Sequence, residues 1–249
     1  MHTDDFSHRI TLSFFSFMKH HFSHMLLRKL NVATALSLVV LTTGVTTTSL
    51  FAAATSNFAQ TINPGTLSVD IVDATYVAVG SPSVLMAATP FSFACQTTSG
   101  SFGTATQQIY VKNPDASDSG WTIALAAATP TAFWDGAAAD YDFNDPTAAG
   151  CGDGADVDTL KGQMTVDASV GTLATGACLS CTTTSVTKGS SASYNQGTVD
   201  SITLLTGAAA SSDIGDWKLT GVAVTQKIPA EQPAASDYFI NMTLSVTAI

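Results

Sequence analysis

The sequence predicts an all-β protein, an antiparallel β-sandwich of jelly-roll or immunoglobulin-like type that carries a long acidic loop insertion. Three observations predict this fold. Apolar and polar residues alternate with a period of two in several short segments. Turn-forming Gly, Pro, Asn and Asp residues separate these segments. No segment longer than a turn or two shows a convincing helical period.

The clearest predicted strand lies at the C-terminus. One face of it would carry the apolar side chains, which are those of Tyr238, Ile240, Met242, Leu244 and Val246. Further strands are predicted at 67–71, 109–111, 121–125, 202–205 and 217–224. The segment from Thr129 to Asp158 lacks such alternation, so it is predicted to be an insertion on the rim of the sandwich.

The N-terminal residues 1–54 read as an extension followed by a secretory signal. Arg28 and Lys29 precede an apolar run, and the small residues 52–54 offer a cleavage site before Thr55. Met25 is a second candidate start, because MLLRKL is a conventional basic beginning for a signal peptide. The alternative is an uncleaved membrane anchor, since the uncharged run is long enough to span a bilayer. Cleavage leaves residues 55–249, predicted to form a single β-sandwich domain.

Composition excludes several functions for this mature part. All 5 His residues and both Arg residues lie before residue 30, so residues 55–249 contain neither. The remaining 5 Lys and 17 acidic residues give a net charge of −12. Without His, the domain cannot build a Ser-His-Asp or Cys-His centre or a His-ligated zinc site. Clustered basic residues for nucleic acid are also missing, and the expectation is a non-enzymatic protein.

Four cysteines lie in the exported part, and an even number in a secreted chain predicts two disulfides. The spacing of Cys178 and Cys181 permits a local bridge, which would leave Cys95 to pair with Cys151. A redox CxxC motif and a four-cysteine zinc site are the alternatives. The first normally sits at a helix N-terminus, and the second would need two CxxC pairs.

An acidic run is the best candidate for a ligand site. Its oxygen-bearing side chains are those of Asp140, Asp142, Asn144, Asp145, Asp153, Asp156 and Asp158. Oxygen ligands at alternate positions, as in Asp140-x-Asp142-x-Asn144, are typical of calcium loops. The match to an EF-hand is poor, because Cys151 stands where the bidentate Glu belongs. The alternative is a solvated loop whose Asp and Asn side chains cap turns.

Two tryptophans carry a family resemblance. Gly120-Trp121-Thr122-Ile123, Trp217-Lys218-Leu219 and the closing strand from Tyr238 to Val246 resemble the WxL-domain surface proteins. The resemblance implies an exported β-protein that attaches non-covalently to the bacterial cell wall, with Trp121 and Trp217 as wall-binding candidates. The closing strand lacks the family's second Trp. Core packing is the default interpretation of both indoles, because Trp121 and Trp217 begin or lie inside predicted strands.

A second resemblance lies just after the signal. The segment 57–67, NFAQTINPGTL, resembles the opening of camelysin-like fibre subunits. In such fibres an N-terminal strand completes the sheet of the next subunit. The expectations are therefore cell-wall or envelope association at the cell surface, with a self-assembling extracellular fibre subunit as the alternative. The expected partners are a wall polymer, other surface proteins or further copies of the chain.

An enzymatic alternative is a glycoside hydrolase, which uses a pair of carboxylates. Glu231 is the only Glu and lies beside two prolines, so the pair would consist of Asp residues.

Overall fold

A computed structural model describes residues 59–114, 119–147, 150–154, 156–209 and 214–249. The predicted signal segment 1–54, including Met25 and the cleavage site, lies outside these residues. The chain forms two units, residues 1–60 and Thr61–Ile249. None of the described residues lies in a helix long and apolar enough to cross a membrane.

The described residues of the second unit form twelve strands and no helix, which confirms the all-β prediction. In chain order the strands are β1 Ser68–Val72, β2 Gln96–Phe102, β3 Gln108–Asn113, β4 Trp121–Ala127, β5 Gln163–Asp167, β6 Thr172–Thr175, β7 Val186–Lys188, β8 Ala192–Ser193, β9 Ser201–Gly207, β10 Gly215–Thr220, β11 Val222–Ile228 and β12 Met242–Ala248. They build three four-stranded antiparallel sheets, an arrangement consistent with a β-sandwich. The strand orders are β1-β3-β10-β6, β2-β11-β5-β8 and β12-β4-β9-β7.

Three segments of the chain each contribute one strand to the first sheet and one strand to the second. β2 leads into β3, β5 into β6 and β10 into β11, and the order of the three segments is the same in both sheets. The predicted strand 217–224 is therefore real but interrupted at Gly221, whose φ is +73°. Gly221 N donates to Gly103 O at 2.7 Å, and Gly103 has a φ of +83°. Glycine suits both positions, because other residues rarely adopt such φ values.

The third sheet contributes to the same core as the other two. Trp121 of β4 and Trp217 of β10 are fully buried, and their ring centroids are 5.4 Å apart. Tyr194 is also buried and donates through its hydroxyl to Leu125 O at 2.8 Å. One cluster of buried apolar residues therefore includes side chains from strands of all three sheets.

The C-terminal strand begins later than predicted. β12 starts at Met242, whereas Phe239 pairs with Asp135 through two backbone hydrogen bonds of 2.9 Å. The register pairs Met242 with Ala127, so a longer β12 would place Phe239 opposite Pro130. Proline has no N–H to donate to a ladder, which explains why the pairing with β4 ends before that point.

Candidate functional site

The segment between β4 and β5 contains no strand among its described residues, but it is not a solvated rim loop along its whole length. Asp142, Asn144 and Asp145 are all buried, together with Tyr141 and Phe143. Phe143 O accepts from Met164 N at 2.6 Å and Asp145 N donates to Gly162 O at 3.0 Å, so this stretch lies along the start of β5. The middle of the segment is therefore not solvated, because its aromatic side chains pack into the core. The carboxylates of Asp142, Asp156 and Asp158 nevertheless cap turns, as the loop alternative predicted.

A buried glutamine holds this segment against β11. Gln226 is fully buried, and its Nε2 donates to Asp142 O at 2.9 Å. Its Oε1 accepts from Trp134 Nε1 at 3.0 Å. All the polar atoms of the Gln226 side chain are thus hydrogen-bonded, as the burial of polar groups requires. Gln226 was not among the predicted site residues, although a glutamine at an inward-facing position of an alternating strand is a usable signal.

Three of the seven candidate metal ligands come together in the fold. Asp142, Asp156 and Asp158 each offer one carboxylate oxygen, and these three oxygens lie within 4.8 Å of one another. Asp142 is only 2% exposed, whereas Asp156 and Asp158 are half-buried. We call these three residues the acidic cluster.

The acidic cluster contains buried oxygens without hydrogen-bond partners. Asp142 Oδ1 accepts from Phe143 N at 2.6 Å and Asn144 N at 3.3 Å, but Asp142 Oδ2 has no partner. Asp156 Oδ2 is likewise without one. Burial, together with the negative charges of Asp158 and Asp156, raises the pKa of Asp142 to about 7. Burial also raises the pKa of Asp156. Ionising Asp142 inside this cluster is therefore unfavourable without a neutralising charge.

The other four candidates are arranged differently. Asp140 accepts from Gly136 N at 3.2 Å, and Asn144 Nδ2 donates to Pro130 O at 2.7 Å. Asp145 accepts from Gly154 N at 2.7 Å and from Thr147. Asp153 is exposed, although its charge acts on Asp156. The predicted alternation Asp140-x-Asp142-x-Asn144 therefore does not form a single ligand set, because the outer two side chains serve as turn and loop contacts.

All four cysteines are paired, Cys95 with Cys151 and Cys178 with Cys181. The first bridge attaches the acidic segment to the chain just before β2. The loop closed by the second is held by Asp216, whose carboxylate accepts from Cys178 N at 2.9 Å, Ala177 N at 3.1 Å and the Tyr110 hydroxyl. Disulfide sulfurs are not metal ligands, so the proximity of Cys178, Cys181 and Asp216 does not make a metal site.

The two wall-binding candidates are core residues. Trp121 and Trp217 are both 0% exposed, and Trp217 Nε1 donates to Thr182 O at 2.8 Å. A sugar ring can stack only on an aromatic face that it can reach. Neither indole is therefore available to a wall polymer in this structure, and the prediction of that role for Trp121 and Trp217 is corrected.

A partly open cavity of about 490 Å³ lies beside strands β1 and β12, and it is lined mostly by apolar side chains but also by Asp70, Ser83 and Asn241. β1 contributes Val69 and Ile71, and the C-terminal region contributes Met242 and Leu244. Its other apolar lining includes Val84, Met86, Phe102, Leu125, Trp134, Met164, Val224 and Ile240. Cavities of this size and lining are typical binding sites for apolar groups.

β12 is the last strand of its sheet and pairs only with β4 among the described strands. Its seven residues, MTLSVTA, include no charge and no proline. Met242, Leu244 and Val246 are half-buried, as their shared face predicted, and the alternate residues are exposed. Natural edge strands usually carry charges, prolines or bulges that prevent further pairing. β12 carries no charge and no proline.

Thr61–Thr66, which lie shortly before β1, are exposed and belong to no strand, and Ile62 is 86% exposed. Gly65 N donates to Pro114 O at 3.3 Å. This segment is uncharged, as is the whole of 55–66, so it has the composition of a strand that can enter an apolar site.

Comparison with known proteins gives no match: no family model fits the chain, and no curated protein or solved structure is significantly similar to it. The resemblances to WxL-domain proteins and camelysin-like subunits therefore stay predictions.

Proposed function

We propose that residues 55–249 form an exported, non-enzymatic surface protein that assembles by strand exchange, with the N-terminal segment of one copy pairing with β12 of the next. The single observation that carries the proposal is the mostly apolar cavity beside an edge strand without charge or proline. Two disulfides are typical of an oxidising compartment and fit a location at the cell surface or outside the cell. A β-sandwich of jelly-roll or immunoglobulin-like type suits this role.

The donor segment has a suitable length and pattern. Residues 55–63, which precede Pro64 and Gly65, would span roughly 30 Å when extended, which exceeds the roughly 24 Å of a seven-residue strand. Phe58 and Ile62 would share one face of the added strand, since side chains alternate with a period of two. That face would point towards the cavity, whereas Thr61 would point away from it. Burial of these apolar side chains would favour assembly.

Wall association is the second candidate function and rests on the resemblance to WxL-domain proteins. With Trp121 and Trp217 buried, a wall polymer would need other residues. The strand-exchange proposal is therefore preferred. In the experiment below, binding to purified cell wall without filaments would favour wall association instead.

We predict that the mature chain 55–249 forms filaments, and that the shortened chain 67–249 stays monomeric. The reason is that only the longer chain carries the donor segment. Negative-stain microscopy detects the filaments, and sedimentation velocity distinguishes them from the monomer.

Ile62→Asp and Thr61→Asp are a matched pair for this experiment. Both side chains are exposed, so neither change should affect the folded domain. Ile62→Asp should abolish filaments because it places a charge in the cavity, whereas Thr61→Asp should retain them. A mature chain that is monomeric at every concentration contradicts the proposal. So does assembly that persists in 67–249. Equal sedimentation of 55–249 and 67–249 with purified wall, without filaments, would favour wall association.

A further inference from the structure

We propose that the acidic cluster of Asp142, Asp156 and Asp158 binds a hard divalent cation, and that calcium is the ion it fits best. This site is separate from the cavity and from β12, so the inference does not depend on strand exchange.

The unpartnered oxygen of Asp142 distinguishes the cluster from an ordinary acidic surface. The Asp142 side chain is only 2% exposed, yet its Oδ2 has no hydrogen-bond partner. Buried polar atoms nearly always have a partner. Asp156 Oδ2 is a second such atom in the same group of three carboxylates. A cation held by these carboxylates would offer both residues a partner for an unpartnered oxygen.

The charges also favour a cation. The three oxygens lie within 4.8 Å of one another, a distance at which like charges repel strongly in a partly buried site. Asp158 and Asp156 repel the charge of Asp142, and Asp145 and Asp153 add to the repulsion at Asp156. All of these groups are acidic. A bound divalent ion would offset this repulsion.

The ligand chemistry selects a hard ion. Residues 55–249 contain no His, and all four cysteines are in disulfides, so only oxygen ligands are available. Carboxylate oxygens suit calcium and magnesium, whereas zinc prefers nitrogen and sulfur. Calcium tolerates irregular coordination completed by water, while magnesium demands near-ideal octahedral geometry. Three carboxylates from an irregular segment therefore favour calcium.

Thermal unfolding of the mature chain tests this site. After dialysis against a chelator, about 10 mM calcium should raise the unfolding midpoint by roughly 3 to 10 °C, because the concentration is about 10 to 100 times the roughly 0.1–1 mM Kd of weak extracellular sites. The same concentration of magnesium should give a smaller rise.

Asp142→Asn and Asp158→Asn should each abolish most of the calcium-dependent rise. Asp140→Asn is the matched control, because its carboxylate lies in the same segment and contacts Gly136 rather than the cluster. This control should respond to calcium like the parent chain. Isothermal titration calorimetry on the parent and the three variants measures calcium binding directly. If Asp142→Asn fails to fold, Asp158→Asn still tests the site, because Asp158 is only half-buried. No calcium-dependent rise in the parent, or an equal rise in Asp142→Asn and Asp158→Asn, overturns the proposal.

Discussion

Replacing Trp217 by alanine is expected to lower the free energy of unfolding by about 3 to 5 kcal/mol, the range typical of large aromatic truncations in a core. Trp217 is fully buried in β10 and packs on Trp121 of β4, so its removal leaves a cavity between strands of two sheets. It also leaves Thr182 O without the indole donor at 2.8 Å. Urea unfolding followed by circular dichroism measures the change without relying on tryptophan fluorescence.

Trp217→Phe separates the two contributions. Phenylalanine keeps most of the ring packing and loses the hydrogen bond, so the expected loss is smaller, about 1 to 2 kcal/mol. If Trp217 were instead an exposed wall-binding side chain, alanine would change stability by less than about 0.5 kcal/mol. That small effect would contradict the core role.

Gln226→Leu is expected to cost about 3 kcal/mol, because it leaves Trp134 Nε1 and Asp142 O buried without their partner. Leucine fills a similar volume, so lost packing contributes little to the change. The same urea unfolding experiment measures the loss. The variant should also weaken calcium binding, since Gln226 holds the backbone of Asp142 in place.

Gln232→Leu is the matched control for Gln226→Leu. Gln232 Nε2 also donates to carbonyls of the acidic segment, at 3.2 Å to Ala139 O and 3.4 Å to Asp140 O, but Gln232 is only half-buried. Water can replace a partner there, so we expect a loss below about 1 kcal/mol. Equal losses in the two variants would show that Gln226 does not hold the acidic segment in the proposed way.

Local patterns predicted part of the strand set and missed β2, β5, β6, β7 and β8. Period-two alternation located β1, β3, β4, β9 and β12, because each of these strands has one face towards the core. The spacing of Cys178 and Cys181 suggested a local bridge, which left Cys95 to pair with Cys151. The structure contains both bridges. These features depend on residues close together in the chain or on simple elimination.

Features that depend on distant contacts could not be predicted in the same way. The burial of Asp142 follows from its pairing with the start of β5 and from Gln226, which lies 84 residues away. All seven oxygen-bearing side chains of the acidic run were predicted as candidate ligands, but the sequence did not reveal that the carboxylates of Asp142, Asp156 and Asp158 lie together. The positions of Trp121 and Trp217 in predicted strands favoured the core, but the contact between their rings depends on two different sheets.

Amide hydrogen exchange at β12 tests strand exchange most directly. A synthetic peptide of residues 55–66 is added to the shortened chain 67–249, and exchange is compared with and without it. Strand exchange predicts slower exchange within Met242–Ala248, because amides on the open side of β12 gain hydrogen-bond partners. β7, at the opposite edge of the same sheet, should not change. Unchanged exchange at β12, or equal slowing at β12 and β7, would contradict the account.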